Sequence, residues 1–130
     1  MKTIIAGSRT INDLSILYRA VDKIDWNITE VVSGGAKGVD MLGEQWAFDT
    51  GIPVKRFRAN WTEFGRGAGH IRNSEMALYG EALIALWDGY SKGTANMIDL
   101  ARAKGMKIHV ELVELPDTTI KRAQTLSIYE

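Results

Sequence analysis

Residues 82–87, Ala-Leu-Ile-Ala-Leu-Trp, are apolar at odd and even positions alike. A strand with one wet face would alternate, whereas one without alternation needs cover on both faces, as the centre of a parallel sheet has. A parallel sheet needs long crossovers between strands, usually helices, and the chain has candidates for them on both sides of this run. Residues 3–6 read as a buried strand ending at Gly7. Asn12 is placed to cap a helix whose apolar face is Leu14, Leu17, Tyr18, Val21 and Ile24. Residues 28–32 read as a second strand, 39–50 as a helix stopped by Gly51, and 53–57 as a third strand. A helix over 71–79 follows a glycine-rich loop and stops at Gly80. Another over 94–104 stops at Gly105, and 107–113 reads as the fifth strand. This alternation predicts an α/β protein: a Rossmann-like, three-layer α/β/α fold with a mainly parallel five-stranded sheet. Residues 1–115 are expected to form that domain, and 116–130 a C-terminal tail of different pattern.

Composition limits the chemistry. At 130 residues and 45% hydrophobic content, the chain is sized for one domain with a core. Lys plus Arg and Asp plus Glu both number 16, for a net charge of zero. That balance argues against a nucleic-acid partner held by a global basic field, but leaves room for a local basic pocket. With no cysteine and two histidines, His70 and His109, neither a disulfide nor a Cys/His metal cage is available. No metal and no cofactor is expected. The apolar start of the chain breaks at Gly7-Ser8-Arg9, too soon for a signal peptide or a membrane span. The expectation is a cytoplasmic protein with no membrane partner.

The second strand leads into Ser33-Gly34-Gly35-Ala36-Lys37-Gly38-Val39-Asp40. A strand, a glycine turn and a helix start form an anion site in waiting, since glycine lets the backbone approach a phosphate and first-turn N–H groups favour negative charge. The spacing fits neither the P-loop nor the G-x-G-x-x-G dinucleotide pattern. It is equally the composition of a tight βα connection. The weight comes from the other loops at the carboxyl edge, where ligands of such sheets bind. These are Gly7-Ser8-Arg9-Thr10, the run from Gly65 to Asn73 through Arg66 and Arg72, and Asp88-Gly89-Tyr90-Ser91-Lys92-Gly93-Thr94. Each carries glycine and at least one cation, which supply backbone donors and charge-assisted bonds for phosphate. The opposite edge, around Asp25-Trp26-Asn27 and Gly51-Ile52-Pro53, lacks this composition.

The candidate ligand-binding residues are therefore Gly7, Ser8, Arg9, Gly34, Gly35, Lys37, Gly38, Asp40, Arg66, Arg72, Asn73, Ser91, Gly93 and Thr94. Arg72, near a helix start, is placed to pair with phosphate. Lys37 and Lys92 read more readily as solvated turn residues than as ligands. Ser91 and Thr94 suit a helix cap as well as a ligand, and Asp40 suits ribose hydroxyls or the helix dipole. Trp61 and Trp87 are candidates to stack on a base, although Trp87 ends a core strand. Glu75 and Asp88 are the best-placed carboxylates for acid/base work, with Arg72 beside them in a candidate catalytic set. Met76 and Met97 read as core.

Together the four loops resemble those of the SLOG superfamily (named from Smf/DprA and LOG), and within it the YspA, cpYpsA-related family of bacteria and phages. The resemblance runs from Ile4 to about Val110. It implies a Rossmann-like fold that binds a nucleotide or nucleotide-derived ligand, as a sensor or a sequestering module. It also implies a homo-oligomer. The enzymatic LOG relatives are phosphoribohydrolases that cleave the N-glycosidic bond of nucleoside 5′-monophosphates, the alternative activity here. Their arginine motif resembles His70-Ile71-Arg72-Asn73, with Asn73 in place of a lysine. Their glycine motif resembles Gly93-Thr94, but Met97 stands where they carry a glutamate. N-glycoside cleavage needs a carboxylate, and methionine supplies none, so catalysis would fall to Glu75, Asp88 or Asp40.

Overall fold

The computed structural model describes residues 1–114; the expected tail lies outside them. Five strands, β1 (Lys2–Gly7), β2 (Glu30–Ser33), β3 (Val54–Arg56), β4 (Ala82–Trp87) and β5 (Lys107–Leu112), form one sheet in the order β3-β2-β1-β4-β5. All four strand pairs are parallel. The helices are α1 (Leu14–Lys23), α2 (Val39–Thr50), α3 (Trp61–Phe64), α4 (Ala68–Tyr79) and α5 (Lys92–Lys104). The expected α/β class and parallel sheet are what the chain adopts.

Alternation along the central strands sorts the core into two layers. Ile5, Val31, Ile84 and Leu86 pack with Leu17, Ala20, Trp46 and Ala47 of α1 and α2. Ile4, Val32, Leu83 and Ala85 face the other way and pack with Met76 and Ala77 of α4 and Met97, Ile98 and Ala101 of α5. This is why β4 carries no alternation: Ala82 to Leu86 are buried on both sides. Gly51 and Gly105 end α2 and α5 in the left-handed conformation at φ 75° and 74°, which a Cβ would strain. Lys104 helps to finish α4 from outside by donating to the carbonyls of Ala77, Leu78 and Gly80.

Several local expectations are corrected. Asp13, not Asn12, caps α1: its Oδ1 accepts from the Ser15 N–H at 3.0 Å. The register buries Leu17 and Ala20 and leaves Tyr18 40% exposed, so Tyr18 is not on the core face. Helix α4 starts three residues before Ile71, and α5 two residues before Thr94. Helix α3 and the 3₁₀ turn at Gly65–Gly67 were not anticipated. The turn into them is set by Asn60, whose Oδ1 accepts from the Glu63 N–H while its Nδ2 donates to the Glu63 carboxylate. Glycine content masked that local signal.

Candidate functional site

The strand order reverses between β1 and β4, and a crevice forms where the chains leaving their carboxyl ends diverge. Two adjoining spaces lie there. An inner cavity of about 90 Å³ takes its apolar lining from Ala6, Met76 and Met97, and its polar side chains from Arg9, Asp40, Arg72, Asn73, Ser91 and Thr94. Gly7, Ala36 and Gly93 complete it. An outer groove of about 320 Å³ is lined by Ser8, Arg9, Thr10, Asp88, Ser91, Lys92 and Gly93. Arg9, Ser91 and Gly93 border both. Since a water molecule occupies about 30 Å³ of liquid, the inner cavity has room for a group of roughly phosphate size. The outer groove reaches the lower end of the range for small-molecule sites, about 300 Å³.

Arg72 is the best-held cation. Its Nη1 donates to the Gly34 carbonyl at 2.6 Å and its Nε to Asn73 Oδ1 at 3.1 Å. Burial pushes its pKa down; Asp40 opposes that and Arg9 adds to it. Asn73 is buried and ties α4 to α5, donating through Nδ2 to Asn96 Oδ1 at 2.9 Å and to the Gly93 carbonyl at 3.2 Å. Across the cavity, Ser91 precedes α5 but its side chain makes no capping bond; its hydroxyl meets Thr94 Oγ1 at 3.2 Å instead. The Gly93 and Thr94 N–H groups at the cavity wall thus receive no bond from the side chain of the cap residue. The Trp87 indole N–H donates to the Ser91 carbonyl at 3.0 Å, so Trp87 braces this loop in addition to its core packing.

Asp40 is 6% exposed. Its Oδ2 accepts from the Ala36 N–H at 3.1 Å, closing the glycine turn onto the start of α2. Burial pushes its carboxyl up to about 6; the Ala36 N–H, Arg72 and Arg9 pull it back, and Glu44 adds to the rise. The folded chain therefore holds this proton more tightly than the unfolded chain does. Stability attributable to Asp40 falls as pH climbs from about 4 to about 6, and the full penalty stands above that. A rise from 3.8 to about 6 corresponds to about 3 kcal/mol. Asp40→Asn, which keeps an acceptor for Ala36, is expected to raise stability by about 2 kcal/mol at pH 8 and to leave it unchanged at pH 4. Denaturant unfolding of both proteins across that range checks this, and parallel stability curves contradict it.

The glycines of the second loop turn out to serve the protein first. A Cβ on Gly34 would lie 2.5 Å from Arg72 Nη1 and 2.8 Å from Asp40 Oδ2. One on Gly38, at φ 79°, would lie 2.6 Å from backbone atoms of Ser8 and Arg9. Neither glycine borders the inner cavity or the outer groove, nor do Gly35 and Lys37. The turn is braced from below: Ser33 Oγ accepts from the Gly35 N–H at 3.1 Å and donates to Glu44 at 2.6 Å, and Arg56 pairs with the same carboxylate. Glu44 was missed, although its place one helical turn after Asp40 marks it.

Of the other candidates, Gly7, Ser8, Arg9, Asp40, Arg72, Asn73, Ser91, Gly93 and Thr94 all border one or both spaces. Arg66 is exposed on the 3₁₀ turn and borders neither. Glu75 is exposed on α4, outside both. Asp88 borders the outer groove, where its Oδ1 accepts from the N–H groups of Tyr90 and Ser91 at 2.8 and 2.9 Å. Met76 and Met97 are core and cavity lining at once, a dual role that spacing alone does not reveal.

Residues 1–64 match the model of the YspA, cpYpsA-related SLOG family. That stretch runs from β1 through the glycine turn and α2 to the end of α3. The chain is also similar to the Gene 61 protein of Mycobacterium phage D29, with 28% identity over 117 residues covering 82% of this chain and 93% of the phage protein. No solved structure matches. In this chain the glycine-containing loops at the carboxyl edge and the half-buried Arg72 meet at one crevice. The Met97 position, where LOG enzymes carry glutamate, faces that crevice as an apolar surface. Among the described residues no helix is long and apolar enough to cross a membrane.

Proposed function

We propose that this SLOG protein binds a nucleotide or nucleotide-derived ligand at the carboxyl edge of its sheet, as a sensor or sequestering module. A phosphate would occupy the inner cavity and the rest of the ligand would extend along the outer groove. The observation that carries this reading is that Arg72 and the Gly93–Thr94 start of α5, which the Ser91 side chain does not cap, line one cavity of about 90 Å³. Charge-assisted bonds from a guanidinium and N–H groups at a helix start are complementary to phosphate oxygens.

Gly93 supports the same reading. Glycine weakens a helix by roughly 0.5–1 kcal/mol relative to alanine, yet a Cβ here would meet nothing within 4 Å. The protein's own packing does not require glycine at this point, whereas a ligand lying against the helix start does. Gly93→Ala is expected to raise stability by roughly 0.5 kcal/mol and to lower nucleotide affinity tenfold or more. Thermal melts with and without ligand check both signs together; unchanged affinity in the variant contradicts the reading.

Binding is favoured over hydrolysis because the carboxylates are in the wrong places. Glu75 is outside both spaces, Asp88 holds the β4–α5 loop, Met97 offers no charge, and Asp40 borders the inner cavity, where the phosphate would sit, but not the outer groove, where the glycosidic bond would lie. Incubation with a panel of nucleoside monophosphates and dinucleotides, following base release by chromatography and melting temperature in parallel, tests the two readings. Stabilisation without base release is expected. Base release that Arg72→Ala abolishes would establish the phosphoribohydrolase instead, and no thermal shift with any nucleotide would remove the phosphate site itself.

A further inference from the structure

A carboxylate in the wall of a phosphate-sized cavity is an obstacle to the ligand unless it is neutral or receives a hydrogen bond. Asp40 occupies that position, 6% exposed and bordering the inner cavity. One oxygen, Oδ2, is committed to the Ala36 N–H. Oδ1 has no hydrogen-bond partner among the described residues, and no described side-chain oxygen is both fully buried and unpartnered, so Oδ1 keeps surface toward open space. The charged groups around it are Arg72 on α4, Arg9 on the β1–α1 loop and Glu44 on α2. Glu44 is held by Ser33 and Arg56 and is not free to swing away.

We infer that Asp40 engages the ligand's phosphate as a neutral carboxylic acid, so that the inner cavity takes up a proton together with its anion. This rests on the proposed phosphate occupancy of that cavity. The arginines supply the charge, and the protonated Oδ1 supplies a donor where an ionised oxygen would repel. An anion in the same cavity disfavours the ionised carboxyl further, so a carboxyl that burial already pushes up to about 6 becomes protonated on binding at neutral pH. The balance is simple: one proton passes from solvent to Asp40, and no covalent bond forms or breaks. The competing arrangement, in which an ionised Asp40 accepts a ligand hydroxyl, involves no proton uptake.

Two probes separate these outcomes, sulfate and ADP-ribose, because neither titrates between pH 5.5 and 8. Calorimetric titration in buffers of different ionisation enthalpy measures protons taken up on saturation. At pH 7 the expected uptake is more than half a proton per anion for both probes, with dissociation constants rising toward tenfold per pH unit between pH 6.5 and 7.5. Asp40→Asn, whose amide donates at any pH, is expected to bind both probes without uptake and with a flat pH profile. His70 and His109 border neither cavity, so uptake that persists in Asp40→Asn overturns the assignment. Binding without uptake by the wild-type protein overturns the inference while leaving the nucleotide reading intact. Failure of both probes to bind overturns the inference together with the phosphate subsite on which it rests.

Discussion

Replacing Arg72 by alanine is expected to weaken binding of the best nucleotide ligand by about 100-fold, or roughly 2.7 kcal/mol. The size follows from what the guanidinium faces. It is partly buried, oriented by the Gly34 carbonyl and Asn73, and aimed across a small cavity with apolar patches, where a charge-assisted bond is stronger than in water. Arg72→Lys should recover only part of the loss. A single ammonium cannot hold Gly34 and Asn73 and still present a planar fork to phosphate. Arg66→Ala is the control: it removes an exposed arginine outside both spaces and is expected to change affinity less than twofold. Calorimetric titration of the three variants checks the ordering. Equal affinities for Arg72→Ala and the wild-type protein would contradict the placement of the phosphate.

Gly7→Ala is expected to destabilise the fold by 3 kcal/mol or more, on the order of the largest core overpacking effects. A Cβ at Gly7 would fall on the Leu86 carbonyl oxygen and 2.7 Å from Val39 Cγ2. That carbonyl accepts from the Ser8 N–H, and Gly7 pairs with Leu86 across β1 and β4. Relief would therefore require parting the two central strands at the edge where the crevice opens. Gly67→Ala offers the contrast, with φ −79° and nothing within 4 Å of the added Cβ. It is expected to leave stability within about 0.5 kcal/mol. Urea unfolding distinguishes the two, and a mild effect at Gly7 would mean that the strands tolerate separation there.

The fold was largely legible because its strongest constraints are local or periodic. The unbroken apolar run of β4 implies two covered faces, and Gly51 and Gly105 mark helix ends that need a left-handed residue. Boundaries were less legible where two residues compete for one role. Asn12 and Asp13 are both good caps, and burial of Leu17 and Ala20 decides between them. Helix α3 was hidden because glycines following Asn60-Trp61-Thr62-Glu63 suggest a loop, while the Asn60–Glu63 exchange is a short-range event.

The site was legible as a set of loops but not as a division of labour. Composition brings glycine and cations to the carboxyl edge; it cannot tell a glycine that admits ligand from one that admits protein. Gly34 and Gly38 make room for Arg72, Asp40 and the backbone of Arg9, whereas Gly93 faces open space. Glu75 illustrates the same limit from the other side. It lies three residues from Arg72 in sequence, yet α4 buries Asn73 and Met76 and leaves Glu75 outside. Asp40 was legible as a candidate from its place at the start of α2, but only packing shows that its carboxyl shares a cavity with two arginines.

The phosphate's position is tested most directly by amide chemical shifts in the ¹⁵N-labelled protein during titration with AMP. With phosphate seated against the first turn of α5, the Gly93 and Thr94 amides should show saturable downfield shifts, the largest in the spectrum, and lose them in Arg72→Ala. Shifts absent from Gly93 and Thr94, or confined to the Gly35–Gly38 turn, would contradict it.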